Sequence, residues 1–423
     1  MTMRKVLTAL LITALLPATA HAWWNPDWSE RAKITLNTSD QGLQTKEAVS
    51  GVTVAVRLHS GNFDFTASKE DGSDLRVMAA DDKTPLKFSV ERFDSINELA
   101  VLWVQLPSVA PASDKNVFYV YGGNAKAVAE GEAQGFDATT VIALHFSDTP
   151  AGADQLGAVK PQGTLATEPN GLLAASAKLS GNAVVYALSD KAIVDAGNQL
   201  TVSLWVKLED VQRATLLNWG GLTLALSGGK LAVRADKAEV TGGEVPAARW
   251  TQVALRLGLG KATLFINGAQ VAQGDLATPA LGSSLALGDG ARGLLDEVQV
   301  AATLRSADWI AVAAGAQGAE SKLVASNRET RDGAGAEGES HGYMGVLVKN
   351  LTVDAWVVII ILGIMFAIAC WVMVSKGLLV TQIARANRSF VLKFREASDG
   401  LLTLEAHAPH PKSPIYRLYQ AGV

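Results

Sequence analysis

One apolar segment, residues 355–374, limits what this chain can be more than any other feature. Its twenty residues, AWVVIIILGIMFAIACWVMV, contain no charge, Asn, Gln or Pro. At about 1.5 Å per helical residue they reach roughly 30 Å, the hydrocarbon thickness of a bilayer. A helix in a soluble core rarely runs so long without a polar position. The segment therefore predicts a transmembrane helix that contains Trp356, Gly363, Cys370 and Trp371.

The charges beside this span predict its orientation. Before it, Lys349 and Asp354 cancel, whereas after it only Glu396 and Asp399 oppose five basic residues. Basic residues accumulate on the cytoplasmic side of a membrane helix. We therefore expect a cytoplasmic C-terminal side, with everything upstream outside the cell membrane. The basic residues are Lys376, Arg385, Arg388, Lys393 and Arg395.

The start of the chain agrees with export. Residues 1–22 contain a basic start, an apolar run and Ala20-His21-Ala22, which predicts a cleaved signal peptide and a mature chain that begins at Trp23. The only cysteine, Cys370, lies in the span, so the exported part must be held by hydrophobic cores without disulfides. The net charge of −4 argues against a nucleic-acid partner.

Residues 23–130 show short alternating strands between turn signals, such as 52–58 and 99–106, which predicts a β-sandwich. The domain begins with Trp23, Trp24 and Trp28. These tryptophans suit either of two roles, a platform for a sugar ring or a cover over the end of the core. The Trp-Trp start, the strand 74–77 and the ending Phe118-Tyr119-Val120-Tyr121-Gly122-Gly123 resemble a bacterial extracellular β-domain family of unknown function.

A second sandwich is predicted for residues 136–314. Its motifs include Ser203-Leu204-Trp205-Val206, Phe265-Ile266-Asn267-Gly268 and Leu295-Asp296-Glu297-Val298, with a short closing helix at 304–314. In this order they resemble the concanavalin A-like, laminin-G-like jelly roll. Members of that fold bind glycans, bind proteins or hydrolyse polysaccharides. The fold class is thus mainly β, with two tandem jelly-roll-like sandwiches and one membrane helix that continues into a cytoplasmic helical segment.

The acidic residues of the second domain do not predict hydrolysis. A glycosidase needs two carboxylates facing one bond, whereas Asp296 and Glu297 are adjacent and should point to opposite faces of a strand. We therefore expect no enzymatic activity. Asp289 and Asp296 could instead help to hold calcium, although Asp296 could equally pin a turn. His59, His145 and His341 are far apart in sequence, so no zinc site and no other cofactor is expected.

Residues 315–345 are rich in Gly, Ala, Glu and Ser and predict a flexible linker to the membrane. Beyond the span, in residues 375–423, apolar residues recur at helical spacing and include Phe390 and Phe394. A helix lying on anionic lipid would explain this pattern, and so would a helix that packs on a protein partner.

The last eighty or so residues resemble the start of the MotA/TolQ/ExbB proton-channel family, chiefly through the span and the ending Ser413-Pro414-x-Tyr416-x-x-Tyr419-x-x-Gly422. The resemblance implies a homo-oligomeric ring in the inner membrane, an ExbD/TolR-like single-span partner, and cytoplasmic contacts through Phe390, Phe394, Pro414, Tyr416 and Tyr419. The family has two further membrane helices that line its proton path, and we expect them after Val423.

Two functions follow from these observations. In the first, periplasmic sandwiches bind an envelope glycan or protein while a TolQ/ExbB-like unit in the bacterial inner membrane supplies proton-driven force. In the second, the membrane helix only anchors a carbohydrate-binding or adhesion protein, without transport activity.

Overall fold

The structure is a computed structural model that describes residues 23–129, 135–147, 151–329, 353–396 and 412–422. The predicted signal peptide and most of the predicted linker lie outside these residues. The chain divides into two compact units, residues 1–335 and 336–423.

The first sandwich consists of two antiparallel sheets that enclose one apolar core. A four-stranded sheet has the order β22-β1-β6-β3, and a three-stranded sheet has the order β2-β5-β4. Their shared core includes Ile34, Val54, Leu102 and Val120, all fully buried. The strands are β1 (Glu30–Leu36), β2 (Val49–His59), β3 (Arg76–Ala79), β4 (Phe88–Asp94), β5 (Leu99–Val109), β6 (Asn116–Gly122) and β22 (Val324–Glu329).

The last strand of this sandwich corrects the linker prediction. Residues 324–329 pair with β1 along their whole length, from Arg31 opposite Glu329 to Leu36 opposite Val324. Leu323 is fully buried in the first core. The composition of 315–345 suggested a linker because this strand is short and polar on its exposed side. The linker prediction is therefore wrong for the strand, and its remainder falls mostly outside the described residues.

The second sandwich is inserted in the first, between β6 and a helix, α2 (Ala307–Gln317), that precedes β22. One sheet has the order β19-β18-β17-β12-β21-β10-β9, with β7 also paired to β21, and we call it sheet C. The other, sheet D, has the order β16-β15-β14-β13-β20-β11-β8. Their elements are β7 (Thr140–Leu144), β8 (Val159–Gln162), β9 (Thr167–Glu168), β10 (Ser176–Ser180), β11 (Val184–Leu188), α1 (Asp190–Ala196), β12 (Gln199–Leu208), β13 (Arg213–Trp219), β14 (Leu222–Ser227), β15 (Lys230–Ala235), β16 (Ala238–Glu244), β17 (Thr251–Gly258), β18 (Lys261–Ile266), β19 (Ala269–Asp275), β20 (Ser284–Asp289), β21 (Arg292–Ala301) and α2 (Ala307–Gln317).

Sheet C has both faces covered. Its inner face packs against sheet D in a large core that includes Trp219 and Leu255. On its outer face, Ala143 meets Ala55 and Trp103 of the first sandwich. Helix α2 also covers this outer face, where Ile310 contacts Phe265. The remaining open face of the second sandwich is the outer face of sheet D.

Helix α2 joins the two sandwiches. Ser306 caps its start by accepting a hydrogen bond from the Trp309 backbone N–H at 3.0 Å. One side of the helix, with Val312 and Ala316, enters the first core, while Ile310 faces sheet C. The helix therefore belongs to both packing layers. Because Ser306 caps it, the helix starts at Ala307 and ends at Gln317, three residues later at each end than the sequence pattern indicated.

The second unit contains a long helix, α3 (Val353–Glu396), and a short one, α4 (Pro414–Gly422). Within α3, Ile361–Arg395 is long and apolar enough to cross a membrane. Trp371 and Phe366 are each 72% exposed, as lipid-facing side chains would be. The predicted span thus lies on one continuous helix that extends well beyond it.

Candidate functional site

A β-bulge on β21 brings together the most unusual set of side chains in the first compact unit. In the pairing of β12 with β21, Ser203 lies opposite Gln299 and Trp205 lies opposite Asp296. Between these two pairs β12 has one residue, Leu204, whereas β21 has two, Glu297 and Val298. Glu297 has a φ of 51°, a left-handed conformation that costs a non-glycine residue about 1 kcal/mol. Such strain in a bulge often accompanies a functional position.

The bulge overturns the expectation that Asp296 and Glu297 point to opposite faces. Leu295 and Val298 both enter the core of the second sandwich. Because the extra residue interrupts the alternation between them, Asp296 and Glu297 both lie on the outer face of sheet C. That face is covered by the first sandwich, so the two residues are 0% and 1% exposed.

Three side chains from both sandwiches meet here, and we call them the Glu-His-Glu cluster: Glu91, His145 and Glu297. Nδ1 of His145 lies 2.8 Å from Oε2 of Glu297 and 3.9 Å from Oε2 of Glu91. One ligand atom from each residue lies within 4.8 Å of the others. Glu91 comes from β4 of the first sandwich, His145 follows β7, and Glu297 is on β21. All three side chains are fully buried.

Aromatic and polar neighbours fix the geometry of this cluster. The indole N–H of Trp103 donates to Oε2 of Glu91 at 2.8 Å, and the Ser147 hydroxyl donates to Oε1 at 2.6 Å. The Trp103 ring lies 4.6 Å from the His145 ring, which also stacks on Phe136 at 5.7 Å. Oε1 of Glu297 is buried and has no hydrogen-bond partner among the described residues.

The electrostatics of the cluster are dominated by burial. Burial raises the pKa of Glu297 to about 7, against the opposing effect of the nearby His145. Burial also raises the pKa of Asp296 well above its usual range, and the charge of Glu297 adds to that shift. The charge of Arg57 interacts with those of Glu297 and Glu91, and burial lowers the pKa of Arg57. Its guanidinium donates to the Ala316 and Gln317 carbonyls at the end of α2.

The three predicted tryptophans at the domain start pack together instead of forming an open platform. Trp28 is 7% exposed, and its indole N–H donates to the Asp74 carbonyl at 2.7 Å. Trp24 lies 4.9 Å from Trp28 and 5.9 Å from Tyr121. Trp23 packs on Tyr121 and lies under the guanidinium of Arg31. These contacts match the role of covering one end of the core.

Asp289 and Asp296, proposed as calcium ligands, have different environments. Asp289 is exposed at the end of β20, in sheet D. Asp296 is buried on sheet C and accepts hydrogen bonds from the backbone N–H groups of Leu172 and Glu297, at 2.9 and 3.0 Å. Asp296 therefore pins the chain at Leu172. Within the described residues the Glu-His-Glu cluster is the one group of metal-ligand side chains, and it contains neither aspartate.

The second unit brings the predicted cytoplasmic residues into contact with one another. Phe390 lies 5.4 Å from Tyr416 and 5.8 Å from Tyr419, and Phe394 lies 5.6 Å from Tyr419. The Ser413 hydroxyl bonds the Asn387 side chain at 2.6 Å and accepts from the Tyr416 N–H. Pro414 begins α4. The apolar side of α3 is thus partly covered by α4 of the same chain.

The remaining predicted residues lie on α3. Cys370 is half-buried and carries a free thiol, Trp371 is largely exposed, and a Cβ added to Gly363 would meet nothing within 4 Å. The side chain of Trp356 lies outside the described residues.

Sequence reasoning missed the Glu-His-Glu cluster. Its members are separated by 54 and 152 positions along the chain (145 − 91 and 297 − 145). In the sequence, Glu91 is a charged residue in a strand of alternating pattern, and His145 is a polar residue that follows an apolar strand. Neither reveals that two sandwiches pack face to face.

A second feature missed by the sequence is a polar row across the outer face of sheet D, formed by Asn218, Thr223, Arg234 and Glu239. Each is the direct cross-strand partner of the next, on β13, β14, β15 and β16. Residues next to them in the chain, such as Leu217, Leu224, Val233 and Val240, enter the core, so these four face outward. Arg234 and Glu239 form a two-bond ion pair at 3.0 and 3.2 Å, and Asn218 donates to Thr223 at 3.2 Å.

Two parts of the chain match known families. Residues 180–311 match the concanavalin A-like lectin/glucanases superfamily. Residues 71–155 match a domain of unknown function, DUF2341. These matches agree with the two sandwich resemblances found in the sequence, and the MotA/TolQ/ExbB family is not among them. No curated protein matches the chain.

Solved structures share a partial fold similarity with the chain. One is the binding domain of botulinum neurotoxin DC in complex with SialylT, with 11% identity, a TM-score of 0.37, and coverage of 43% of this chain and 52% of that one. Another is the receptor-binding domain of the botulinum neurotoxin C/D mosaic serotype, with 15% identity, a TM-score of 0.37, and coverage of 42% and 51%. The chain therefore spans about half the length of these structures.

Proposed function

We propose that this protein is a membrane-anchored binding protein whose inserted sandwich recognises a glycan of the bacterial envelope. The match of residues 180–311 to a lectin and glucanase superfamily supports this proposal, together with the apolar helix of α3. The observation that favours binding over hydrolysis is the burial of Asp296 and Glu297. Fully covered by the first sandwich, these two acids cannot reach a polysaccharide.

The polar row on sheet D is the surface we assign to the glycan. Sheet C is covered on both faces, whereas this row lies on the open face of the sandwich. Four cross-strand neighbours at a strand spacing of about 4.8 Å cover roughly 14 Å. They present an amide, a hydroxyl, a guanidinium and a carboxylate, which together can donate to and accept from sugar hydroxyls. In this proposal the sandwiches lie in the periplasm and the C-terminus in the cytoplasm.

A glycan array probed with the full chain in detergent tests this function. We expect binding to a defined set of saccharides, weakened about 5- to 10-fold by Asn218→Ala and more by Arg234→Ala. A 5- to 10-fold loss corresponds to about 1 to 1.4 kcal/mol, which is the size of effect expected when one hydrogen bond is lost. The matched control is Lys83→Ala, an exposed cation on the first sandwich, which should leave binding unchanged.

Two results would count against the proposal. A chain that binds no saccharide on the array is not a glycan receptor, and a protein ligand would then be sought. Binding that survives both Asn218→Ala and Arg234→Ala would mean that the polar row is not the binding surface.

A second function, the energy-transducing unit, is supported by one observation. The Ser413–Tyr419 segment, which carries the resemblance to the MotA/TolQ/ExbB family, docks on α3 through Ser413, Tyr416 and Tyr419. Proton-driven work in that family needs a ring of subunits and a single-span partner. Native mass spectrometry of the chain in mild detergent should then show a homo-oligomer that retains a small membrane protein. A monomer under these conditions would leave only the anchoring role.

A further inference from the structure

We infer that the Glu-His-Glu cluster binds a divalent first-row transition-metal ion that fastens the two sandwiches to each other. Glu91 belongs to the first sandwich, and His145 and Glu297 belong to the second. An ion held by all three would connect the outer face of sheet C to strand β4 of the first sandwich. This role is structural and does not depend on the glycan-binding proposal.

The distances fit an ion of this kind. Each of the three residues offers one ligand atom within 4.8 Å of the other two, and Nδ1 of His145 lies 2.8 Å from Oε2 of Glu297 and 3.9 Å from Oε2 of Glu91. Atoms this close together can converge on one ion at about the 2.0 to 2.2 Å bond lengths of Zn²⁺ to imidazole and carboxylate. Oε1 of Glu297, buried and without a hydrogen-bond partner among the described residues, can serve as a further ligand atom.

The donor set selects the class of ion. Calcium prefers six to eight oxygen ligands, and magnesium an octahedron of oxygens and waters, so an imidazole nitrogen suits neither. One imidazole and two carboxylates suit Zn²⁺ or Mn²⁺. The surrounding residues already orient the ligands: Trp103 and Ser147 each donate to a different oxygen of Glu91, and this second layer would hold it in place.

The charges of the site also call for a cation. Glu91 and Glu297 are buried, and the charge of the Arg57 guanidinium interacts with both. Its donors are engaged by the Ala316 and Gln317 carbonyls. When all are ionised, the buried carboxylates of Glu91, Asp296 and Glu297 outnumber the charge of Arg57, which is costly, and a bound cation would offset the excess. Protons taken up by His145 or by these acids would also reduce the excess, and a measurement of metal content separates that case from a bound ion.

Metal content is measured by inductively coupled plasma mass spectrometry on the full chain, purified in detergent with a tag free of histidine and without chelator. We expect about one Zn²⁺ or Mn²⁺ per chain, as for a structural site formed on folding. Loss of a residue that only hydrogen-bonds to a metal ligand lowers metal affinity by about 10- to 100-fold. Glu297→Gln and Glu91→Gln change the ligands themselves, so each should reduce metal retention by more than that. The controls are Asp289→Asn and His59→Gln, an exposed acid and an exposed histidine, which should keep the ion.

A second measurement needs only the wild-type chain, so it holds even if the variants fold poorly. The chain is heated with a metallochromic dye, and ion release should coincide with the loss of the β-sheet circular dichroism signal. Release well below that transition would indicate an ion on the surface and would overturn the inference. A wild-type chain that carries no ion and takes up neither Zn²⁺ nor Mn²⁺ would overturn it as well.

Discussion

The Trp103→Ala variant is expected to lose about 4 kcal/mol of unfolding free energy, near the middle of the range of about 3 to 5 kcal/mol for a buried tryptophan. Trp103 is fully buried between the sandwiches and packs on the rings of His145 and Phe136. Its removal leaves a cavity between the two sandwiches, and the side chains of their cores lie on the other faces of the sheets and cannot fill it. It also takes away the indole donor to Glu91, leaving that buried carboxylate with one donor fewer.

Denaturant unfolding followed by far-ultraviolet circular dichroism measures this loss. Trp103→Phe keeps a ring in the layer and should cost clearly less, since only the indole N–H and part of the volume are removed. Ile96→Ala serves as the control for a large side chain, because Ile96 is 92% exposed and its truncation should change stability by less than about 0.5 kcal/mol. A Trp103→Ala chain as stable as Ile96→Ala would mean that the two sandwiches do not pack through this layer.

The sequence was sufficient to predict strands with strong alternation. Residues 52–58 and 99–106 lie in β2 and β5, where every second residue enters the core of the first sandwich. None of the strands of sheet D was predicted. Segments such as β15, with the sequence KLAVRA, are short and rich in alanine, so their apolar contrast is weak. Their strand identity comes from pairing with neighbours, which no local pattern records.

The arrangement of the sandwiches was beyond local sequence signals for a different reason. A strand that returns to the first domain after an insertion of this length pairs through Arg31–Glu329 and Leu36–Val324, residues almost 300 positions apart. The bulge at Glu297 likewise depends on tertiary context, because its positive φ would ordinarily call for glycine. The candidate cluster is a product of both features, and neither leaves a motif.

The second large effect is expected at Arg305, where the chain leaves the second sandwich. Its guanidinium donates to both carboxylate oxygens of Asp137, at 2.7 and 2.6 Å, and lies 4.3 Å above the Trp309 ring. Asp137 lies where the chain enters the same sandwich. The Arg305–Asp137 ion pair therefore joins the two chain segments that connect the sandwiches. Arg305→Ala leaves Asp137 half-buried without its cation, and we expect a loss of about 3 to 5 kcal/mol, as when one partner of a buried pair is removed.

The pH dependence of this loss separates the ion pair from simple packing. Burial alone would raise the pKa of Asp137, but its bonds to Arg305 hold that pKa below the usual value. A depressed pKa stabilises the fold above the unfolded value of about 3.9 and ceases to do so as pH falls through the folded value. In Arg305→Ala, by contrast, protonation relieves an unpaired buried charge. The difference in unfolding free energy between the wild-type chain and Arg305→Ala should therefore narrow steadily from pH 7 toward pH 3.

The control is Arg249→Ala, which removes the exposed pair with Glu320 and should differ from the wild-type chain by less than about 1 kcal/mol at every pH. A gap for Arg305→Ala that stays constant with pH would show that Arg305 acts through its stacking on Trp309 and not through Asp137.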